Sequence, residues 1–311
     1  PYSIAWMARL SPADYAEATV DGSRFWPAKA LPLEKGNLAL PEVGFTRSEL
    51  IVPTGRSGAV CRLRAFEERI VGYAEERDYP DREGTSMISV HLRHGTISVR
   101  EAVRAALRHE SAGATKWLKE LIWRDFYHMI LAQFPFVVDQ AFRPEYRDVD
   151  WPGTEDEFRA WCEGRTGYPL VDAAMRCLVA TGWMHNRLRM VTASFLAKNL
   201  MVDWRRGEAF FARYLLDFDL ASNNGGWQWS ASTGVDAQPY FRVFNPVLQS
   251  RKFDPDARFI TAWCPELADL PVDLRHWPPD AGLMRPDGYP SPIVNHETQR
   301  AKAIALLSRE K

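Results

Sequence analysis

TKWLKELIWRDFYHMIL, residues 115–131, is the stretch on which the fold turns. It has no Gly or Pro across 17 residues, and its apolar side chains recur at three- and four-residue steps, so it predicts a helix over 115–133. At helical angles Trp117, Glu120, Trp123, Arg124 and Tyr127 share one face. Two readings are open. Glu120 and Arg124 can form an i,i+4 pair at the border of an amphipathic helix. Alternatively the face meets a flat polar ligand, because charge buried beside three aromatic rings is costly unless a partner satisfies it.

The same period extends outward. Val60, Leu63, Phe66 and Ile70 repeat as a buried helix stripe, and Ser98 with Glu101 and Thr154 with Glu157 match capping boxes. Further helices are predicted at 170–181 (stopped by Gly182), 184–202, 207–216 and 296–309 after Asn295. No run of alternating strand character and no internal repeat is present. The fold expected is all-α, with a large helical domain over 57–311. Residues 1–56 carry Pro12, Gly22, Pro27, Pro32, Gly36, Pro41, Gly44, Pro53 and Gly55 and read as an irregular linker.

Composition excludes several classes. With 46% hydrophobic and 25% charged residues in 311, the chain is neither disordered nor fibrous. A net charge of -1 excludes a protein that coats nucleic acid by bulk charge. Residues 176–213 nevertheless hold seven basic side chains against two acidic ones, either a solvated helix face or a local phosphate-facing rim. Cys61, Cys162, Cys177 and Cys264 lack metal or disulfide spacing and read as reduced thiols of a cytoplasmic protein. The longest central run without Asp, Glu, Lys or Arg, 126–138, is 13 residues and contains Pro135, so no membrane span is expected. The chain opens on Pro1-Tyr2, and an N-terminal part is expected to have been removed or omitted. Of 12 Trp, eight lie between 117 and 229, a concentration that needs a cause.

Three further segments carry chemistry. TGWMHNRLRMVTASFL (181–196) aligns Trp183, Asn186 and Met190 on one helix face, flanked by Arg187 and Arg189. Such a stripe suits core, but an amide within it demands hydrogen-bond partners. LDFDLASNNGGWQWSASTG (216–234) combines two acids, three amides, three glycines and two tryptophans, too polar for core and too aromatic for a plain loop. Asp217 and Asp219 lack the later Gly and Glu of a calcium loop, so no metal is expected. EGTSMIS (83–89) offers Thr85, Ser86 and Ser89 hydroxyls beside Gly84, for turns or for phosphate.

Taken together, WLKELIWRDFY (117–127), GYPLVDAAMRCLVATGWMHNRLRM (167–190), DWRRGE (203–208), DFDLASNNGGWQW (217–229) and YFRVFNP (240–246) resemble the FAD-binding catalytic domain of the photolyase/cryptochrome family. The resemblance runs from about Tyr73 to Leu270. It implies an all-helical domain holding U-shaped FAD. It also implies that a second, antenna chromophore belongs to an N-terminal α/β domain absent from this chain. Tyr73, Thr85, Ser86, Met87, Ile88, Ser89 and Leu92 would line the phosphate and ribityl side, with Trp117, Arg124, Phe211 and Phe218 completing the pocket. Asp217 would pair with Arg189 beside the isoalloxazine, Asp219 would contact the flavin, and Asn223 would face its N5. Trp227, Trp204 and Trp151 match a three-tryptophan electron relay.

Within that family the substrate pocket decides function. Trp123 and Trp229 match the pair that sandwiches a flipped-out cyclobutane pyrimidine dimer, Glu120 and Asn186 its hydrogen-bonding groups, and Met190 its packing partner. Arg77, Tyr127, Arg187, Arg242 and Gln249 match DNA-contacting positions. Relatives acting on (6-4) photoproducts carry His at the positions of Asn186 and Met190, which this chain does not. The resemblance therefore implies a monomeric enzyme of light-driven dimer repair on UV-damaged DNA, in which reduced FAD lends an electron and receives it back. Two alternatives are a light-sensing cryptochrome, which photoreduces flavin without repair, and a flavin-free helical DNA-binding module.

Overall fold

A computed structural model describes residues 2–19, 21–24, 40–44, 46 and 49–308. The described chain is built of helices and turns, with no strand among the described residues. The central element is the Ala112–Gln133 helix, capped by Ser111, whose Oγ accepts from the Ala114 amide at 3.1 Å. Trp117, Leu118, Leu121, Ile122, Phe126 and Ile130 form its buried stripe. It packs against the Tyr2–Arg9, Val99–Leu107 and Leu220–Ala231 helices and the short Tyr73–Glu76 turn.

Two large cores result. One gathers Leu63, Phe66, Ile70, Tyr73, Ile97, Val103 and Trp117. The other runs from Trp161 through Met184, Leu188, Phe211 and Trp227 to Tyr289. The candidate site lies where they meet.

The predicted helices form with shifts that side chains explain. Thr154 and Glu157 make the complete capping box, whereas Ser98 caps its helix alone because Glu101 turns to Arg56, 2.7 Å away. The Pro169–Thr181 helix ends at Gly182, whose φ of +70° suits a residue without Cβ. The expected 184–202 helix starts at Asn186, because the His185 ring Nδ1 accepts from the Arg187 amide at 3.1 Å and fixes the first turn. It widens into a π-turn over Phe195–Asn199 and stops there. The 207–216 helix instead spans Trp204–Tyr214, since Asp203 caps it four residues upstream of the expected start. The last helix spans His296–Leu307 with Asn295 as its cap; Arg309 lies outside the described residues.

The Leu220–Ala231 helix is missing from the sequence reading. Its Gly225-Gly226 pair reads locally as a break, but the Asp219 carboxylate accepts from the Ser222 amide at 2.9 Å and starts the helix regardless.

The N-terminal stretch is not uniformly irregular. Tyr2–Arg9 is helical and docks through the Tyr2 hydroxyl and the Trp6 indole, both donating to Asp125, at 2.8 and 3.1 Å. The Gly55–Glu67 helix begins just before position 57. Residues 25–39, including Pro27, Pro32 and Gly36, lie outside the described residues.

Candidate cofactor and substrate site

Two cavities adjoin at the junction of the cores. The larger, about 280 Å³, is walled by Tyr73, Arg77, Thr85 to Ser89, Leu92, Trp117, Glu120, Arg124 and Trp183. The smaller, about 140 Å³, is walled by Met190, Phe211, Phe218, Asn223 and Trp227. Asn186, Arg189, Asp217, Asp219 and Ser222 line both and join them into one recess. Its size falls in the range of cofactor pockets, roughly 300–1,000 Å³.

The hydroxyl wall is shaped by Met87, whose φ of +52° is a conformation side chains rarely adopt. Ser86 there accepts from the buried Trp117 indole at 3.3 Å. At the junction, Arg189 meets both Asp217 oxygens, at 3.1 and 2.8 Å, while its Nε donates to the Met184 carbonyl at 2.8 Å. The Asp217 side chain is only 3% exposed, so the guanidinium is what makes its charge tolerable. Asp219 is held differently. Burial pushes its carboxyl up, but the Ser222 hydrogen bonds and the nearby His128 and Arg124 outweigh that and hold it below the ordinary value. His128 Nδ1 lies 2.8 Å from the Arg124 carbonyl and its Nε2 3.1 Å from Asp219, so the ring bridges the helix backbone and that carboxylate.

Asn223 gives its amide nitrogen to Glu208 twice, to the carbonyl at 3.1 Å and to Oε1 at 2.8 Å, leaving the amide oxygen for a ligand. Burial raises the Glu208 carboxyl above its usual range despite the Asn223 bond. Its place in DWRRGE was visible, but not its role behind Asn223. By contrast, Asn224 and Gln228 are structural: both donate to the Val137 carbonyl, at 2.9 and 3.0 Å.

The substrate-side residues are partly assembled. Glu120 and Asn186 share the larger cavity, and the Asn186 amide lies 3.8 Å from the Met190 sulfur. Neither lobe of the recess is lined by Trp123 or Trp229. Trp123 is 38% exposed and stands against Tyr127, centroids 6.4 Å apart, and Tyr127 with Trp229 lines a small neighbouring cleft. Arg77 bonds Glu120, and Asp78, which sequence reasoning passed over, lies 2.9 Å from Arg187 and 3.7 Å from Arg77. Arg187 also covers the Phe253 ring at 4.2 Å. Arg242 is exposed on the loop before the Pro246–Phe253 helix, and Gln249 is half-buried on that helix.

Trp227 is buried against Gly207, where a Cβ would stand 2.1 Å from the indole. Trp204 is buried as well, and Trp151 is half-exposed where the main core meets a smaller one around Tyr146 and Leu307.

The basic stretch 176–213 is not one surface. Arg176 pairs with Glu266, Arg189 with Asp217, Arg205 with Asp203 and Arg206 with Glu155, and Lys198 is buried. The expected local phosphate-facing rim narrows to Arg187, which reaches Asp78 beside Arg77, because helical rotation points Arg176, Arg189, Arg205 and Arg206 to partners of their own.

This helical fold with a two-lobed polar recess defines a cofactor-binding domain, and comparison with known proteins places it. The family described as FAD binding domain of DNA photolyase matches residues 117–309, and the chain belongs to it. The deoxyribodipyrimidine photo-lyase of Neurospora crassa is 47% identical over 83% of this chain and 45% of that protein. The Escherichia coli enzyme of the same name is 42% identical over 98% of this chain and 66% of its own length. Among solved structures, a class III photolyase from Agrobacterium tumefaciens superposes with a TM-score of 0.78 at 40% identity, covering 82% of this chain and 56% of that one. The chain thus spans about half to two thirds of these relatives. No helix among the described residues is long and apolar enough to cross a membrane.

FAD is the cofactor of this family's domain. The recess suits it. Hydroxyls line one end, a buried ion pair stands at the junction, and the Trp227 indole nitrogen is a buried donor without a protein partner on the far wall.

Proposed function

We propose that this chain repairs cyclobutane pyrimidine dimers in UV-damaged DNA by light-driven electron transfer. The observation that carries the reading is the meeting of Glu120, Asn186 and Met190 at the edge of the FAD recess. The chemistry FAD supplies when bound in reduced form is an electron released by blue light to the dimer and regained after the cyclobutane bonds open. Tyr73, Thr85 to Ser89 and Leu92 would hold its phosphate and ribityl parts, with Trp117, Arg124, Phe211 and Phe218 completing the pocket. Arg189, Asp217, Asp219 and Asn223 would hold its ring.

The protein's own groups do the rest. Glu120, steadied by Arg77, and the Asn186 amide offer hydrogen bonds to the edges of an extruded dimer, and Met190, Trp123 and Trp229 offer apolar contact. An already distorted base pair lowers the cost of extrusion. Arg77, Arg187, Arg242, Gln249 and Tyr127 would meet the strand around it, the arginines acting on phosphates. Trp227, Trp204 and Trp151 pass from buried to half-exposed, an order that suits an electron path from the surface to the recess.

A light-sensing reading draws on likeness to a Synechocystis cryptochrome, with a TM-score of 0.79 at 31% identity. Binding separates the two. In 150 mM salt, the FAD-loaded protein is expected to bind a dimer-containing oligonucleotide at least tenfold more tightly than the undamaged one. Equal affinity would refute repair and leave the sensor.

A further inference from the structure

Lys198 sits in the π-turn over Phe195–Asn199 and is 0% exposed, and among the described residues its ammonium meets neutral oxygens rather than a carboxylate. Burial first, and the Arg242 charge second, push its ammonium down to about 7. A buried amine this costly is retained where its donors are needed. They are used on one segment. Nζ donates to the Arg242 carbonyl at 3.0 Å and reaches the Gln238 side-chain oxygen at 3.5 Å.

That segment is the connection from the end of the Leu220–Ala231 helix to Asn245. Its contacts converge on the same place. The Gln238 amide donates to the Trp229 carbonyl at 3.1 Å, and the Arg242 amide closes a turn on the Pro239 carbonyl at 2.9 Å. Above this base Phe241 is 57% exposed and the Arg242 side chain points outward. A π-turn inserts one extra residue into a helix and so re-aims a side chain, which here places a lysine beneath a loop.

We propose that Lys198 is a positioning residue, the anchor that fixes the 238–242 turn and thereby sets both Trp229 and Arg242 at the DNA-facing mouth of the site. The inference rests on the DNA role of Arg242 given above, but the anchor itself can be read without DNA. Lys198 lines neither lobe of the recess. Its loss should therefore leave the flavin spectrum and FAD content unchanged while freeing one loop.

The test uses FAD-loaded protein. Amide hydrogen exchange across 234–245 should speed at least tenfold in Lys198→Met and in Gln238→Leu, which removes the acceptor from the loop side, and should stay slow in Lys198→Arg. Affinity for dimer-containing DNA should fall at least as far in Lys198→Met as in Arg242→Ala, with the double variant no weaker than Lys198→Met alone. Unchanged exchange in both loop-side and lysine variants overturns the anchor. Faster exchange with Arg242→Ala binding DNA like wild type supports the anchor and refutes the DNA role of Arg242. Should Lys198→Met fail to fold, Gln238→Leu decides alone.

Discussion

A carboxylate as enclosed as Asp217 survives only because Arg189 meets both of its oxygens. Removing one partner of a buried pair strands the other charge, at a cost of about 3–5 kcal/mol. Asp217→Ala should therefore lower Tm on the order of 10 °C and yield a protein that purifies with little yellow colour. Calorimetry and the 450 nm absorbance check both; a stable, fully yellow variant would remove Asp217 from the pocket. The pair was legible in the sequence only through the family likeness, because 28 residues separate its members. Glu208 was harder still. Its relation to Asn223 crosses between two helices, and no local pattern marks a carboxylate that works through its own backbone carbonyl as well as its side chain.

Helices were legible where the cap and the period agreed, as at Thr154 and Asn295. They were obscured where packing overrode propensity. Gly225 looks like a helix breaker, yet its missing Cβ makes room for the Tyr127 ring, which would stand 2.1 Å away from one. Lys198 illustrates the reverse error: a lysine reads as a surface charge, and no sequence period announces a π-turn. His185 shows how an element end can carry pH sensitivity. Its Nδ1 must stay unprotonated to cap the Asn186–Ser194 helix, and burial lowers its pKa from the ordinary 6.5 to about 4. The neutral ring is thus favoured in the folded state, and its contribution is complete above pH 6.5. As pH falls from 6.5 to 4, the unfolded chain takes up a proton that the folded one refuses, and up to roughly 3 kcal/mol is lost. His185→Asn keeps a capping acceptor without titrating. Urea midpoints between pH 4 and 7 should slope less in that variant; an identical slope would assign the acid sensitivity elsewhere.

At the scale of the molecule, a chain with no net excess of positive charge would meet DNA, as proposed, through a few placed groups rather than through a field. The Arg77, Asp78, Glu120 and Arg187 group is internally paired, and strand phosphates would have to compete with Asp78 for the arginines. Six of the twelve tryptophans divide by position: Trp117, Trp183 and Trp227 on the recess walls, Trp123 and Trp229 toward the proposed substrate, and Trp161 in the core. The all-helical fold and the FAD domain were legible from long uninterrupted motifs, whereas the distribution of the basic stretch was not, since rotation about each helix is set by packing. The most direct test of the account is repair itself. The FAD-loaded, reduced protein is mixed with thymine-dimer oligonucleotide and exposed to blue light, with a dark control. The account predicts that dimers disappear under light, persist in the dark, and are restored to intact thymines with no net oxidation of the cofactor. Dimers that survive illumination while a full-length photolyase clears them in parallel would contradict it.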